Sequence, residues 1–382
     1  MVEQATPERR ALRDSARRFL AQQCDFARHR RQQRPDADFD RALWRRFGEM
    51  GWLGAMVAED AGGLGQSALE ALAVVEAMGG QFVAEPYAQA LAAAQLLQTL
   101  GDAAQRQRWL PGLCDGSLLI LPAHAEPGSG HALDCVATRA VRVASGWRLD
   151  GLKCAVPCGA AADWLLISAR IDAAPEGLSL FAVERGAAGL NIEADAGIAG
   201  EALAELRLEA VEVPAQALLG RAGGACAAIE AAHDLVLAAA CAEAAGTLEA
   251  VLQASCDYAR TRQQFGVPLA SFQVIAHRLV DMYTQGQLAR SMAALAAQCL
   301  IDETPAAQRR LRLSAAKAQV SAACQFVGEQ AIQIHGGIGM TDELALSHQV
   351  RRLLAIDLRL GDRFHHLGVL SAAVMAGASL YA

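Results

Sequence analysis

The sequence is poor in aromatic residues (5%) and has no long run of lysine and arginine. Its net charge is −7, so the charge pattern favours no nucleic-acid partner. No apolar run approaches the roughly 18 residues of a membrane-spanning helix, so we expect no membrane span. The longest such run covers residues 235–242 and is flanked by two acidic residues. These deficits exclude basic nucleic-acid-binding and transmembrane classes and favour a globular protein.

Paired cysteines are also lacking, although the chain has ten cysteines. No Cys-x-x-Cys pair occurs, and neither His124 nor His131 has partners at metal-ligand spacing, so we expect no metal. The start of the sequence has no apolar segment typical of a secretory signal. We therefore expect reduced thiols and a cytoplasmic location.

What the chain has in abundance is apolar residues, at 53% of its 382 positions, which is enough for a large core. Residues 1–117 show helical spacing and predict an N-terminal α-helical domain. Residues 118–220 contain short apolar and alternating runs, such as 206–213, and predict a middle β barrel or sandwich. Residues 221–382 predict a C-terminal four-helix bundle. Its predicted helices are 225–260, 270–300, 307–334 and 361–380.

Two segments carry chemistry beyond fold class. Residues 260–266 read Arg-Thr-Arg-Gln-Gln-Phe-Gly and are followed by Ser-Phe-Gln at 271–273, while residues 333–340 read Gln-Ile-His-Gly-Gly-Ile-Gly-Met. A guanidinium group pairs well with phosphate, and glycines let a ligand approach backbone N–H groups. Each segment also has a plain structural interpretation, as a cationic helix end and as a glycine helix cap.

Together with the loops at 59–65 and 125–130, these segments resemble the acyl-CoA dehydrogenase family over almost the full length. The resemblance implies the order helical domain, β domain and helical bundle. It implies FAD as cofactor, an acyl-CoA thioester as substrate of α,β-dehydrogenation, and an electron-transfer flavoprotein as electron acceptor. It also implies that six residues contact the ADP half of FAD in a neighbouring subunit, namely Arg262, Phe265, Gln273, Gln333, Gly336 and Gly337.

The positions that correspond to the family's catalytic base are apolar in this sequence. In many members a Glu after the last bundle loop removes the α-proton of the substrate, and that position is Leu360 here. The second position used in the family falls on Val236, and the Arg that commonly follows is Leu237. None of these side chains can accept a proton.

The side that would face the flavin ring differs from the family as well. A Trp-x-Thr segment is replaced by Ala155 and Pro157, and a threonine of the preceding loop is replaced by Ala125. This combination resembles the small subunits of heteromeric α2β2 acyl-CoA dehydrogenases of the pimeloyl-CoA or steroid side-chain type. We therefore expect a subunit that completes the FAD site of a larger homologous partner.

Two alternatives remain open. The first is an independent homo-oligomeric enzyme with Glu243 as base, since Glu243 lies seven residues after Val236 and burial would raise its pKa. Glu243 could instead pair structurally with an arginine. The second alternative is a scaffold pseudoenzyme that binds no flavin.

Several polar residues near these segments have less certain roles. Asp362, His365 and His366 follow the vacant base position, where a helix start is the plain interpretation. Glu126 could hold its loop or touch a ligand, and His335 is expected to serve packing.

Overall fold

The computed structural model describes residues 6–33, 38–171 and 174–378. The contacts among them divide the chain into two compact units. The first unit comprises the residues up to 29, residues 68–83 and the residues from 237 onward; the second comprises residues 30–67 and 84–236.

The N-terminal part of the chain is helical, and three of its helices begin with a side chain that caps the first turn. Thr6 accepts a hydrogen bond from the backbone N–H of Arg9, and Asp40 does so from that of Leu43. Asp102 forms a capping box with Gln105. The helices are α1 (Pro7–Gln23), α2 (Phe26–Gln32), α3 (Arg41–Glu49), α4 (Ala68–Gly79), α5 (Tyr87–Leu100) and α6 (Ala103–Cys114).

The middle region forms one eight-stranded sheet in the second unit. Its strands are β1 (Ile120–Ala123), β2 (Arg139–Val143), β3 (Gly146–Lys153), β4 (Trp164–Ile171), β5 (Ala174–Glu184), β6 (Leu190–Ala196), β7 (Ala202–Pro214) and β8 (Leu218–Leu219). The order is β6-β7-β3-β2-β4-β5-β8, and β1 pairs with β4. The pairs β1–β4 and β2–β4 are parallel, and the others are antiparallel.

The core of the second unit joins the sheet to helices. Trp109, Leu110 and Leu113 of α6 lie in one buried cluster with Leu166 of β4 and Leu180 of β5. The first turns of the following helix add Ala228, Ile229 and Ala232 to this cluster. The burial of these side chains explains why the apolar runs of the middle region form strands.

Five helices follow in the C-terminal region, one more than the sequence predicts. They are α7 (Cys226–Thr261), α8 (Gln273–Gln298), α9 (Ala306–His335), α10 (Ala345–Leu358) and α11 (Arg363–Met375). The helix without a predicted counterpart is α10, which packs against α9. Its buried apolar side chains recur at helical spacing, at Leu346, Val350, Leu353 and Ile356, and the two arginines between them, Arg351 and Arg352, are partly buried.

Helix α7 is apolar enough over an 18-residue window to pass a length-and-composition test for a membrane span. However, 72% of that window is buried inside the protein, as in the core helix of a globular protein. The window passes because alanine-rich segments raise the mean hydropathy of a buried helix, although its longest uninterrupted apolar run is residues 235–242.

Helices α4 and α7 of the first unit cross at glycines. A Cβ added to Gly79 would lie 2.0 Å from the carbonyl oxygen of Glu243, and one added to Gly246 would lie 2.0 Å from that of Glu76. The hydroxyl of Thr247 donates to the carbonyl of Gly79 at 2.8 Å. Only glycine permits this approach, which fixes the height of Glu243 along the bundle.

Candidate functional site

The segment after α7 folds into a small hairpin. Strand β9 (Gln263–Gln264) pairs antiparallel with β10 (Val267–Pro268) across a two-residue turn. The turn residues Phe265 and Gly266 have φ angles of 54° and 81°, the pattern of a type I′ turn. Glycine adopts this conformation freely, whereas the left-handed region costs a phenylalanine roughly 1–2 kcal/mol.

Phe265 is nevertheless almost fully exposed, at 91%. No burial of its ring inside this chain offsets the backbone strain. A strained residue whose side chain points into solvent indicates a binding role. The ring of Phe272 is the near neighbour, in an edge-on arrangement with 6.1 Å between centroids.

The turn after α9 exposes its backbone. Gly336 caps the helix with a φ of 66°, and its N–H donates to the carbonyl of Ile332. A Cβ added to either Gly336 or Gly337 would meet nothing within 4 Å. Ile338 and Met340 beside them are 49% and 79% exposed. The glycine cap was the plain interpretation of this segment, and it holds, but the open surface above the glycines leaves room for a ligand.

The structure brings the two motif segments together. The rings of Tyr258, one turn before Arg262, and His335, next to Gly336, stack with centroids 4.2 Å apart and an angle of 23° between their planes. The Tyr258 hydroxyl donates to the carbonyl oxygen of His335 at 3.4 Å. His335 is buried, so the packing role expected for it is confirmed.

All six residues predicted to contact FAD are exposed in the first unit. They are Arg262, Phe265, Gln273, Gln333, Gly336 and Gly337. Arg260 forms a surface ion pair with Asp257 at 3.1 Å, whereas Arg262 has no ion pair with any residue that the structure describes. An exposed guanidinium and an open glycine backbone in the same unit fit the phosphate-bearing half of a dinucleotide.

Glu243 was predicted to have a raised pKa, and that prediction is wrong. Burial does act to raise the pKa, but the charges of Arg359 and Arg352 outweigh it and lower the value to about 2. The carboxylate accepts from Arg352 Nε at 2.7 Å and from Arg359 Nη1 at 3.1 Å. The alternative of a structural pairing with arginine is confirmed. A carboxylate with both oxygens engaged and so low a pKa is a poor base near neutral pH.

Buried polar side chains form hydrogen bonds to the backbone of the turn after α10. Lys317 donates from Nζ to the carbonyls of Asp357 and Gly361, both at 2.8 Å. His366 bridges the carbonyl of Leu360, at 3.1 Å from Nε2, and the hydroxyl of Ser314, at 3.2 Å from Nδ1. Leu360 itself has a φ of 61°. These contacts use buried polar groups for structure and add no carboxylate at the vacant position.

The neighbouring candidates also serve structure. Asp362 caps α11 by accepting from the backbone N–H of His365 at 2.8 Å, as the plain interpretation of a helix start predicted. Val236 packs against the apolar cluster of the second unit, and Leu237 is buried in the first.

The second unit holds the positions that would face the flavin ring. Ala125 and Ala155 are exposed, and Ala155 has a φ of 51°. The carbonyl of Ala125 accepts from the backbone N–H of Cys154 at 2.9 Å. With Pro157 in the same segment, the loop presents neither a hydroxyl nor an aromatic ring at these three positions.

A buried polar cluster lies directly behind this loop. Glu126 accepts from Lys153 Nζ at 2.6 Å and from the backbone N–H groups of Ala137 and Thr138. Of its two expected roles, Glu126 therefore has the role of holding the loop. Burial lowers the pKa of Lys153 to about 8, against the opposing effect of Glu126. The sequence analysis missed Lys153, although a lysine in an otherwise apolar strand could have indicated a buried ion pair.

His124 belongs to the same cluster. Its Nδ1 lies 2.8 Å from the hydroxyl of Ser168. Burial and the nearby Lys153 charge lower the pKa of His124 to about 4, so the imidazole is neutral at physiological pH. Within the described ranges, no three His, Cys, Asp or Glu side chains are grouped as metal ligands. All ten cysteines are free thiols.

The family comparison agrees with this architecture. The acyl-CoA dehydrogenase N-terminal, middle and C-terminal domains match residues 6–117, 122–211 and 224–374. The chain belongs to the acyl-CoA dehydrogenase family, an oxidoreductase family that dehydrogenates acyl-CoA with FAD. The predicted resemblance, the fold class and FAD as the cofactor are thereby confirmed.

Individual relatives cover most of the chain. It is 30% identical to an acryloyl-CoA reductase (NADH) of Anaerotignum propionicum, over 87% of this chain and 86% of the relative. It is also 30% identical to a cyclohex-1-ene-1-carbonyl-CoA dehydrogenase of Syntrophus aciditrophicus, over 81% of this chain and 75% of the relative. Among solved structures, the ChsE4–ChsE5 complex of Mycobacterium tuberculosis contains a similar chain, with a TM-score of 0.86 and 26% sequence identity. The alignment covers 98% of this chain and 99% of that chain.

Proposed function

We propose that this chain is the small subunit of a heteromeric acyl-CoA dehydrogenase. It contributes contacts to the ADP half of an FAD that a larger homologous subunit holds, and that partner supplies the catalytic base. The observation that carries this proposal is a contrast within one chain. The six predicted ADP contacts are exposed in the first unit, whereas Leu360 and Val236 offer no proton acceptor.

The residues of the exposed surface have distinct tasks. Arg262 provides a positive charge for the pyrophosphate, and the backbone of Gly336 and Gly337 provides close polar contact. Phe265 and Met340 present apolar area that a partner would cover. Their exposure is unfavourable in an isolated chain and favourable in an assembly.

The reaction requires a base that this chain does not provide. FAD, when bound, accepts the β-hydride of the acyl-CoA, and a separate group must remove the α-proton. Glu243 is neutralised by two arginines, and its low pKa disfavours proton uptake. The family's two base positions are apolar, so the proton is removed by a residue of the partner.

Similarity to the ChsE4–ChsE5 complex supports the heteromeric assembly, because that structure contains two differently named components and one of them matches 98% of this chain. We further propose a cytoplasmic enzyme that oxidises an acyl group of fatty-acid or steroid side-chain type and passes electrons to an electron-transfer flavoprotein.

The test is purification of this chain alone and together with an acyl-CoA dehydrogenase encoded beside it. We expect a colourless chain alone, and a yellow complex that oxidises an acyl-CoA. A yellow homo-oligomer with full acyl-CoA oxidation would contradict the proposal in favour of an independent enzyme. A colourless complex would contradict it in favour of a scaffold.

A further inference from the structure

The two motif segments are distant in sequence, and an aromatic pair joins them. Tyr258 and His335 are 77 positions apart. Tyr258 lies in the last turns of α7, where its carbonyl accepts from the backbone N–H of Arg262 at 2.8 Å. His335 is the last residue of α9 and directly precedes Gly336. The stack therefore connects the start of one exposed segment to the start of the other.

Both rings are held by hydrogen bonds inside the chain, one to the carbonyl of Ala331 and the other to the carbonyl of His335. The Nδ1 of His335 lies 2.9 Å from the carbonyl of Ala331, one turn earlier, so Nδ1 carries the hydrogen that this acceptor requires. Burial lowers the pKa of His335. The Tyr258 hydroxyl then reaches the His335 carbonyl, the last acceptor before the glycine turn. Neither ring has to be ordered by a ligand.

The segments beyond the stack have strained or open backbones. Phe265 and Gly336 both have positive φ angles, and no atom of the described residues lies within 4 Å of a Cβ added to Gly336 or Gly337. The hairpin closes on itself, through the β9–β10 pairing and through the N–H of Leu269, which donates to the carbonyl of Arg262 at 2.9 Å. The relative position of the two segments must therefore be set at their roots.

We propose that the Tyr258–His335 stack is a positioning element that sets the spacing between the Arg262 guanidinium and the Gly336–Gly337 backbone, and so fits them to the ADP half of FAD. This inference rests on the proposed function. It assigns to Tyr258 and His335 no contact with the cofactor. Their effect on FAD binding passes through Arg262 and the glycine turn.

The experiment measures the dissociation constant for FAD by flavin fluorescence on the purified flavin-binding complex after removal of its flavin. We expect about tenfold weaker binding in Tyr258→Leu, which removes the stack, and wild-type binding within about twofold in Tyr258→Phe, which keeps it. His335→Ala, which removes the other ring, is expected to weaken binding as Tyr258→Leu does. Ser255→Ala is the matched control, because Ser255 is buried one turn earlier and bonds only to the carbonyl of Val251.

A double substitution separates positioning from simple stability. If Tyr258 acts through Arg262, Tyr258→Leu weakens binding by less than about twofold when Arg262→Ala is already present. Full additivity of the two effects would overturn the proposal, as would wild-type binding in both Tyr258→Leu and His335→Ala.

The same measurements test the proposed function separately from the positioning role. If Arg262→Ala alone leaves FAD binding unchanged, the ADP-contact role itself is wrong. If Arg262→Ala weakens binding and the ring substitutions do not, only the positioning role is wrong. Thermal midpoints of the flavin-free complexes, measured alongside, identify any variant whose weaker binding follows from unfolding.

Discussion

The exposed motif surface of the first unit differs in chemical character from the loop at Ala125 and Ala155 in the second unit. The motif surface presents a cation, an aromatic ring and open glycines to solvent. The loop in the second unit presents small side chains without hydroxyls, although Glu126 and Lys153 hold it firmly from behind. Both regions therefore have a well-held backbone, but only the motif surface presents side chains and backbone groups suited to binding.

The vacant base position supports the same distinction. The turn at Leu360 is held by Lys317 and His366 with three hydrogen bonds to its carbonyls. Its geometry is therefore well determined although its side chain is chemically inert. The turn is thus well supported by hydrogen bonds, although Leu360 has no side-chain group that could act as a base.

The largest expected effect comes from breaking the ion-pair cluster beside the vacant base. Glu243→Gln removes the negative charge between Arg352 and Arg359, so we expect a loss of about 3 kcal/mol in the free energy of unfolding. Chemical denaturation of the purified protein measures this loss. Turnover per folded complex is expected to remain unchanged, and its loss would restore Glu243 as a base.

The control is Glu249→Gln on the same helix. Glu249 also bridges two arginines, Arg17 and Arg290, but its side chain is 45% exposed. Solvent screens such a pair, so we expect a loss below about 1 kcal/mol.

The same cluster predicts an acid-sensitive stability. The pKa of Glu243 falls from an ordinary 4.5 to about 2 on folding, so the unfolded chain binds its proton more readily. The stabilisation is complete above about pH 5 and is lost as the pH falls towards 2. Denaturation measured across this range should show a shallower decline in Glu243→Gln than in the wild type. Parallel curves would contradict the assignment.

The next effect concerns the motif surface. Arg262→Ala should weaken FAD binding about 10- to 100-fold, because a hydrogen bond to a charged group is lost. Titration of the flavin-free complex with FAD measures it. Arg260→Ala, two positions away, should stay within about twofold, because Arg260 pairs with Asp257 at the surface. Equal effects of the two substitutions would indicate general electrostatic attraction rather than a specific contact.

The smallest effect separates strain from binding. Phe265→Asn creates an Asn-Gly turn, the preferred sequence for the type I′ hairpin, and should stabilise the chain by about 0.5–1 kcal/mol. The same substitution should weaken FAD binding, since it removes the exposed ring. Phe265→Ala removes the ring without relieving the backbone and should weaken binding with no gain in thermal midpoint. A gain in both properties from Phe265→Asn would show that the ring has no binding role.

Much of the fold follows from sequence periodicity. Alternation at residues 206–213 predicted the centre of β7, and long apolar spacing predicted α7, α8, α9 and α11. Helix α10 was missed although its buried apolar residues Leu346, Val350 and Leu353 recur at helical spacing. Arg352 reaches Glu243 in α7, more than 100 positions away, and no local pattern encodes that partner.

The candidate site divides in the same way. The motif residues were predictable because their types and spacing match a family pattern. The low pKa of Glu243 was not, since the sign of the shift depends on which charges fold against it. The Tyr258–His335 stack and the Glu126–Lys153 pair likewise join residues whose proximity only the fold creates.

The central claim is that this chain completes a partner's FAD site and holds no flavin of its own. The most direct measurement is the ratio of flavin to protein chains in the purified two-component complex, together with its native mass. We expect four chains with one flavin for every two chains. One flavin per chain, with the same native mass, would show that this subunit binds its own FAD and would contradict the account.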